Sequence, residues 1–363
     1  MTADFRPLAG VRVLDFSHVI AGPLASFFLA QMGADVLKVE NGRRGGDVMR
    51  RTPGGAAAFL ALNAGKRIVE IDLGTEAGRD RALEEAGACE VLLDNLRPGV
   101  LQRFGLGYDA VRGINPRVVY CSVSGFGGAG PWAGRPAYDH VVQAATGMAM
   151  LGGREGDPPS KVGFPAVDAV AGLSAALAIV AALRERDRRD GPVHLDVPMS
   201  GAALLLMYSF ACDALTTGAT PKRVGNQAFS GSPAADIFET RDGWLAVGAN
   251  TPRHLLALLK VLGLEQVVDD RTIFAVAPDS EAPAAFLTAT DPARLKAHLR
   301  AALRDRDAAK LEQELAAAGV PAARVRTLGD FATEARDRDG VPLVRLEQDG
   351  TLVYSPGLGF RAR

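Results

Sequence analysis

The chain has 363 residues, more than one ordinary compact core holds, so two domains are expected. With 48% apolar residues, 23% charged residues and a net charge of -1, it offers no electrostatic case for binding nucleic acid or an anionic membrane. Three cysteines, Cys89, Cys121 and Cys212, lie at long, unpatterned spacings, which argues for a reducing compartment and against a disulfide frame or a metal site. The N-terminus lacks the basic start and apolar run of a secretory signal, so the cytoplasm is the expected location. The apolar runs, such as residues 201–208, stop short of roughly 20 residues, so no membrane span is expected.

Residues 11–16 read as a short apolar strand, followed by a helix from 23 to 32 that Gly33 closes. Strands at 36–40 and 67–72 flank the next stretch, and residues 74–86 read as a helix. Further strands at 91–95 and 118–123 complete a repeated β-α-β pattern, which predicts a parallel sheet with helices on both faces. A helix to about residue 183, a strand at 194–198 and a helix at 199–215 follow, and residues 216–225 are polar and rich in turn formers. Beyond them a strand pair around Asp242-Gly243 and several amphipathic helices between 253 and 318 suggest a smaller α+β domain. The expected division is a Rossmann-like domain at 1–198, a linker at 199–224, the small domain at 225–327 and a tail at 328–363.

A Rossmann dinucleotide site would need three glycines after the first strand, with Glu40 as the ribose acid. The sequence Ser17-His-Val-Ile-Ala-Gly-Pro23 supplies one glycine, so the phosphate fingerprint is missing. Asp168 is the strongest single candidate. It stands in Gly163-Phe-Pro-Ala-Val-Asp168-Ala-Val-Ala-Gly172, where a loop enters a long helix of small residues. A carboxylate there can form an anhydride with an acyl group away from bulk water. It can also cap the helix, since Asp accepts the orphan amides of a first turn. The two readings are compatible.

The segment from Leu8 to Pro23 resembles the opening of the class III CoA-transferases, the CaiB/BaiF-like family of formyl-CoA transferase and carnitine CoA-transferase. The likeness continues through Leu29-Ala-Gln-Met-Gly-Ala-Asp-Val-Leu-Lys-Val-Glu40, Asn63-Ala-Gly-Lys-Arg67, Asp94-Asn-Leu-Arg-Pro-Gly99 and Asn115-Pro-Arg-Val-Val-Tyr120. It extends to Ser122-Val-Ser-Gly-Phe-Gly127, Pro136-Ala-Tyr-Asp139, Thr240-Arg-Asp-Gly-Trp244 and Ala318-Gly-Val-Pro-Ala-Ala-Arg-Val325. The resemblance implies that Asp168 is the nucleophile of an exchange between an acyl-CoA and a small carboxylic acid. The route would run through an aspartyl anhydride and an aspartyl-CoA thioester, a division of one hard step into easier ones. Because Asp168 must be ionised to attack, burial is not expected to raise its pKa far without compensating amide hydrogen bonds. The resemblance further implies CoA contacts at His18, Val19, Ala21, Arg43, Asp72, Asn95, Leu96 and Arg103, and substrate contacts at Tyr138, Asp139, Gly225 and Asn226. It implies no tightly bound cofactor, with the CoA thioester as substrate, and an interlocked homodimer in which the tail returns to the large domain.

Three departures from the family pattern bear on specificity. Asn41 stands where formyl-CoA transferases carry Arg, leaving Arg43 or Arg44 for a phosphate. The covering loop, Gly225 to Pro233, has fewer glycines, which implies different mobility or substrate reach. The chain also ends at Arg363, before a closing Leu-Gly-Glu-His type motif, so dimer or substrate contacts in the tail are open. The α-methylacyl-CoA racemases share this fold, but their Gly-His-Asp triplet and Glu match Ala137-Tyr138-Asp139 and Thr251 here. Tyr138 is a poor base near pH 7, with a reference pKa of about 10. A non-catalytic CoA-binding protein is the third reading. The donor and acceptor acids are not legible, and a short dicarboxylate such as succinate is the guess.

Overall fold

The computed structural model describes residues 5–186, 188, 190–279, 286–338 and 341–361. The chain divides into two compact units, one of residues 1–152, 158–222 and 338–363, the other of 153–157 and 223–337.

The first unit is built on six parallel strands: β1 (Arg12–Asp15), β2 (Asp35–Glu40), β3 (Arg67–Glu70), β4 (Val91–Asp94), β5 (Val119–Ser124) and β6 (Val193–Pro198), in the order β3-β2-β1-β4-β5-β6. This is the doubly wound order, whose direction reverses beside β1, so a crevice opens there at the carboxyl ends of the strands. The helices are α1 (Ala21–Gln31), α2 (Gly55–Asn63), α3 (Glu76–Ala88), α4 (Tyr108–Ile114), α5 (Asp139–Ala145), α6 (Ala166–Arg186), α7 (Met199–Leu206) and α8 (Tyr208–Thr217). Successive strand residues face opposite sides. Val13 joins a cluster with α1 and α6, whereas Leu14 joins one with α3 and α4. Near-continuous burial of β2 and β4 follows from cover on both faces.

The short helices α2, α4 and α5 were not among the sequence expectations, because seven to nine residues carry too few turns for a clear apolar period. The helix expected at 199–215 is instead two, α7 and α8, bent by 97° at Met207. Residues 199–222, expected mostly as linker, therefore fold and group with the first unit. One apolar stretch is also longer than expected. α6 has the length and composition of a membrane span, yet it is a core helix, with Val167, Ala171, Ala175, Ile179 and Leu183 buried against the sheet side.

The second unit has an antiparallel sheet of β7 (Ala235–Thr240), β8 (Gly243–Gly248) and β9 (Ala322–Arg324). Around it stand α9 (Pro252–Leu262), α10 (Pro292–Arg304) and α11 (Ala308–Ala317), each begun by a capping side chain, Thr251, Asp291 and Asp307 respectively. Helix α12 (Leu328–Arg338) falls in residues expected only as a tail. It belongs to this unit up to residue 337, tied by Arg324 and Arg326 to Glu334 at 2.6 and 3.2 Å. The last segment is a hairpin of β10 (Val344–Gln348) and β11 (Thr351–Ser355) that packs on α2 within the first unit.

Candidate active site

A crevice of about 570 Å³ lies at the carboxyl ends of β1 to β4. Its wall includes His18 after β1, Asn41 and Arg43 after β2, Asp72 after β3 and Leu96 after β4. Arg43 pairs with Asp72 at 3.0 Å but its side chain is 77% exposed, so this is a surface ion pair of modest strength. The side chain of Arg44 lies outside the described residues. Asn95 clamps the turn after β1 from below, accepting from the His18 amide at 2.9 Å and donating to the His18 carbonyl at 2.7 Å. Val19 has φ 67°, a left-handed conformation that costs a β-branched residue energy. Asp47 holds it there, accepting the Val19 amide at 3.1 Å. Ala21 is buried at the start of α1. Arg103 is exposed on a short turn and is not part of the crevice wall.

Beneath the crevice is a group of charges that residue types alone did not reveal. Lys38, Lys66, Asp15 and Asp47 are all buried. Lys38 donates to the Ser17 carbonyl at 2.6 Å and pairs with Asp47 at 3.4 Å. Lys66 donates to the Pro23 carbonyl and to Asn63, each at 2.9 Å, and pairs with Asp15 at 3.5 Å. Asp15 accepts the Ser17 amide at 2.8 Å and the hydroxyls of Ser17 and Ser26. Burial drives the Lys66 ammonium down to about 7 despite Asp15, whereas the two lysines and two serines hold the Asp15 carboxyl below its usual range against the cost of burial. The network pins Ser17 and Val19 of the turn that follows β1. Glu40, the acid of the Rossmann comparison, is held by Arg50 at 3.0 Å. His18 is pushed below the ordinary imidazole value, chiefly by burial. The Oδ1 atom of Asn41 is buried without a hydrogen-bond partner among the described residues.

Asp168 lies in the first turn of α6. Its side chain does not cap the helix. That task falls to Asp139 at the start of α5, whose Oδ2 accepts the amides of Val167 and Asp168 at 2.8 and 3.0 Å. Among the described residues no hydrogen bond is made to the Asp168 carboxylate. Burial, and then the neighbouring Asp139 charge, push its pKa up to about 7, so the compensation expected from amide donors goes to its neighbour instead. Gly172, one turn further on, lets α6 cross close to α1. A Cβ there would stand 2.6 Å from the Ala21 carbonyl oxygen. The second turn of α6 and the start of α1 are thereby neighbours.

Tyr138 is 68% exposed and precedes α5, and its partner in the triplet, Asp139, is committed to α6. Thr251, the position compared with a racemase acid, accepts the His254 amide at 3.3 Å as a helix cap. Gly225 and Asn226 lie in the second unit, lining a cleft of about 910 Å³ with Arg223, Asp236, Lys296 and Arg300. Gly225 has φ 65°, a conformation suited to glycine. Among the described residues no group of three or more His, Cys, Asp or Glu is placed to hold a metal. The residue that sequence reasoning missed here is Gln143, four positions after Asp139. Only its place on the same face of α5 could have signalled it.

The family model described as CoA-transferase family III matches residues 8–361. A succinate–glutarate CoA-transferase of Agrobacterium fabrum is 32% identical over 274 residues, covering 73% of this chain and 68% of that protein. An acetyl-CoA:oxalate CoA-transferase of Acetobacter aceti is 34% identical over 269 residues, covering 73% and 69%. Across four such curated relatives the chain spans between 60% and 69% of their own length. A CAIB/BAIF family protein from Brucella suis, solved by crystallography, superposes with a TM-score of 0.83 at 29% identity, covering 98% of this chain and 92% of that one.

Proposed function

The chain belongs to CoA-transferase family III, and from that premise we propose that it moves CoA from an acyl-CoA donor to a short carboxylic acid with Asp168 as nucleophile. The observation that carries this reading is a largely buried carboxylate that no donor ties down, on a helix turn that another residue already caps. A carboxylate with little water and no hydrogen-bond donor around it is a stronger nucleophile, and partial burial leaves it about half ionised near neutral pH. Asp168 attacks the thioester carbonyl and expels CoA thiolate, leaving an acyl-aspartyl anhydride. The thiolate attacks the aspartyl carbonyl, releasing the donor acid as its carboxylate and forming an aspartyl-CoA thioester. The acceptor carboxylate attacks that carbonyl, expels the thiolate and forms a second anhydride. Thiolate attack on the acceptor acyl carbon then restores the Asp168 carboxylate. No net proton, electron or cofactor is consumed.

CoA is assigned to the crevice at the ends of β1 to β4. His18, Val19, Ala21, Asn95 and Leu96 shape the turn beside it, Arg43 and Asp72 stand at its rim, and the unpartnered Asn41 oxygen offers an acceptor. The names of the two relatives above favour a short dicarboxylate, succinate among them, as donor or acceptor. Exposed apolar residues on α6 to α8, Leu173, Leu177, Leu205 and Leu215, fit burial in an interlocked homodimer. The three free cysteines fit the expected cytoplasmic location. The test is a mass-spectrometric exchange screen with acyl-CoAs and isotopically labelled acids. New labelled acyl-CoA with the native protein and none with Asp168→Ala is expected. Comparable exchange by Asp168→Ala would remove Asp168 from the mechanism, and loss of an α-proton to deuterated solvent without exchange would favour a racemase.

A further inference from the structure

Asp139 and Gln143 lie four residues apart in α5 and are both buried, Gln143 completely. Gln143 joins two segments of the chain. Its Nε2 donates to Asp139 Oδ1 at 2.5 Å, and its Oε1 accepts the Val162 amide at 2.8 Å. Asp139 Oδ2 in turn accepts the Val167 and Asp168 amides. A continuous chain of hydrogen bonds therefore runs from the loop before α6, through α5, to the amide of Asp168. An apolar side chain of similar volume would fill the space of a buried Gln143 without the cost of burying an amide. The bonds rather than the volume give this residue its purpose.

We propose that Gln143 and Asp139 are positioning residues for the exchange reaction, a buried amide–carboxylate strut that fixes the first turn of α6 and with it the line of attack of Asp168, without touching substrate. This rests on Asp168 being the nucleophile. The strut explains why Asp139 is carboxylate-bearing yet turned away from the role of acyl contact: an oxygen that already accepts two amides is spent on the helix. It also gives Asp139 a second effect. Among the described residues Asp139 is the one titratable group acting on Asp168, and its charge adds to burial in holding that carboxyl up.

The experiment measures kcat, KM for acyl-CoA, CoA affinity and the pH profile of kcat/KM for Gln143→Met and Asp139→Asn, with Asp168→Ala alongside. Gln143→Met keeps the volume and loses both bonds. Its kcat is expected to fall between about 10- and 100-fold, the scale of a misplaced reacting group, with KM within about twofold. Asp139→Asn keeps an oxygen for the two α6 amides but loses the charge, and because it sets a donor against Gln143 Nε2 it loses that bond as well. The acid limb of its kcat/KM profile is expected to move down by about one pH unit. Unchanged CoA affinity shows that either variant is folded, and if Gln143→Met does not fold, the acid limb of Asp139→Asn decides alone. Native kcat in Gln143→Met, a loss confined to KM, or an unmoved acid limb in Asp139→Asn overturns the proposal. An active Asp168→Ala sinks the nucleophile itself, whereas an inactive Asp168→Ala beside native-like strut variants sinks only the strut.

Discussion

Asp168→Asn keeps the shape of the protonated carboxyl but cannot ionise, so it separates what the carboxylate does for catalysis from what it costs the fold. The native pKa of Asp168 is raised from 3.8 to about 7. A carboxyl raised in the folded state contributes fully below its unfolded value, and that stability is lost as pH climbs through the folded value. The native protein is therefore expected to lose stability between about pH 4 and pH 7 from this group, while Asp168→Asn does not. At roughly 1.4 kcal/mol per unit, the loss has an upper bound of about 4 kcal/mol, and the side chain's residual solvent contact reduces it to about 2 kcal/mol. The variant should match the native protein in thermal melting near pH 4.5 and exceed it by roughly 3–6 °C at pH 8. It should also be inactive in exchange. Its helix start is not at risk, because Asp139, not residue 168, supplies the cap. A melting difference that does not change with pH, or a native protein more stable than Asp168→Asn at pH 8, would refute the claim that the Asp168 carboxyl is held in a poorly solvated state.

Two further predictions concern the crevice. Lys38→Met leaves Asp47 buried without its cation and frees the Ser17 carbonyl, so a destabilisation of about 3 kcal/mol is expected in urea unfolding. An unchanged midpoint would mean the buried network is not coupled to the fold. Arg43→Ala should weaken CoA binding about fivefold, and more at low salt, whereas Arg103→Ala should change it less than about twofold because Arg103 stands outside the crevice wall. Calorimetric titration with CoA at two ionic strengths checks both, and the reverse ranking would move the phosphate contact to Arg103.

The sequence by itself carried the alternation of strands and helices, because a buried parallel strand is a short apolar run and each is bounded by a turn former, as at 36–40 and 91–95. It also carried the place of Asp168 in the first turn of a small-residue helix, which is a local pattern. It did not carry the break at Met207, where neither Pro nor Gly marks the 97° bend, nor the left-handed Val19. Least legible was which charge ends up where. Lys38 sits in a strand where a lysine ordinarily faces water, and its partner Asp47 is nine residues away. Lys66 meets Asp15 across 51 residues, and Asp139 reaches the amide of Asp168 across 29. Local periodicity says which face of an element is apolar. Only the assembled sheet and helices bring distant charges together out of water, where a missing partner is costly enough to fix the turn at Val19, the start of α6 and the ionisation of Asp168.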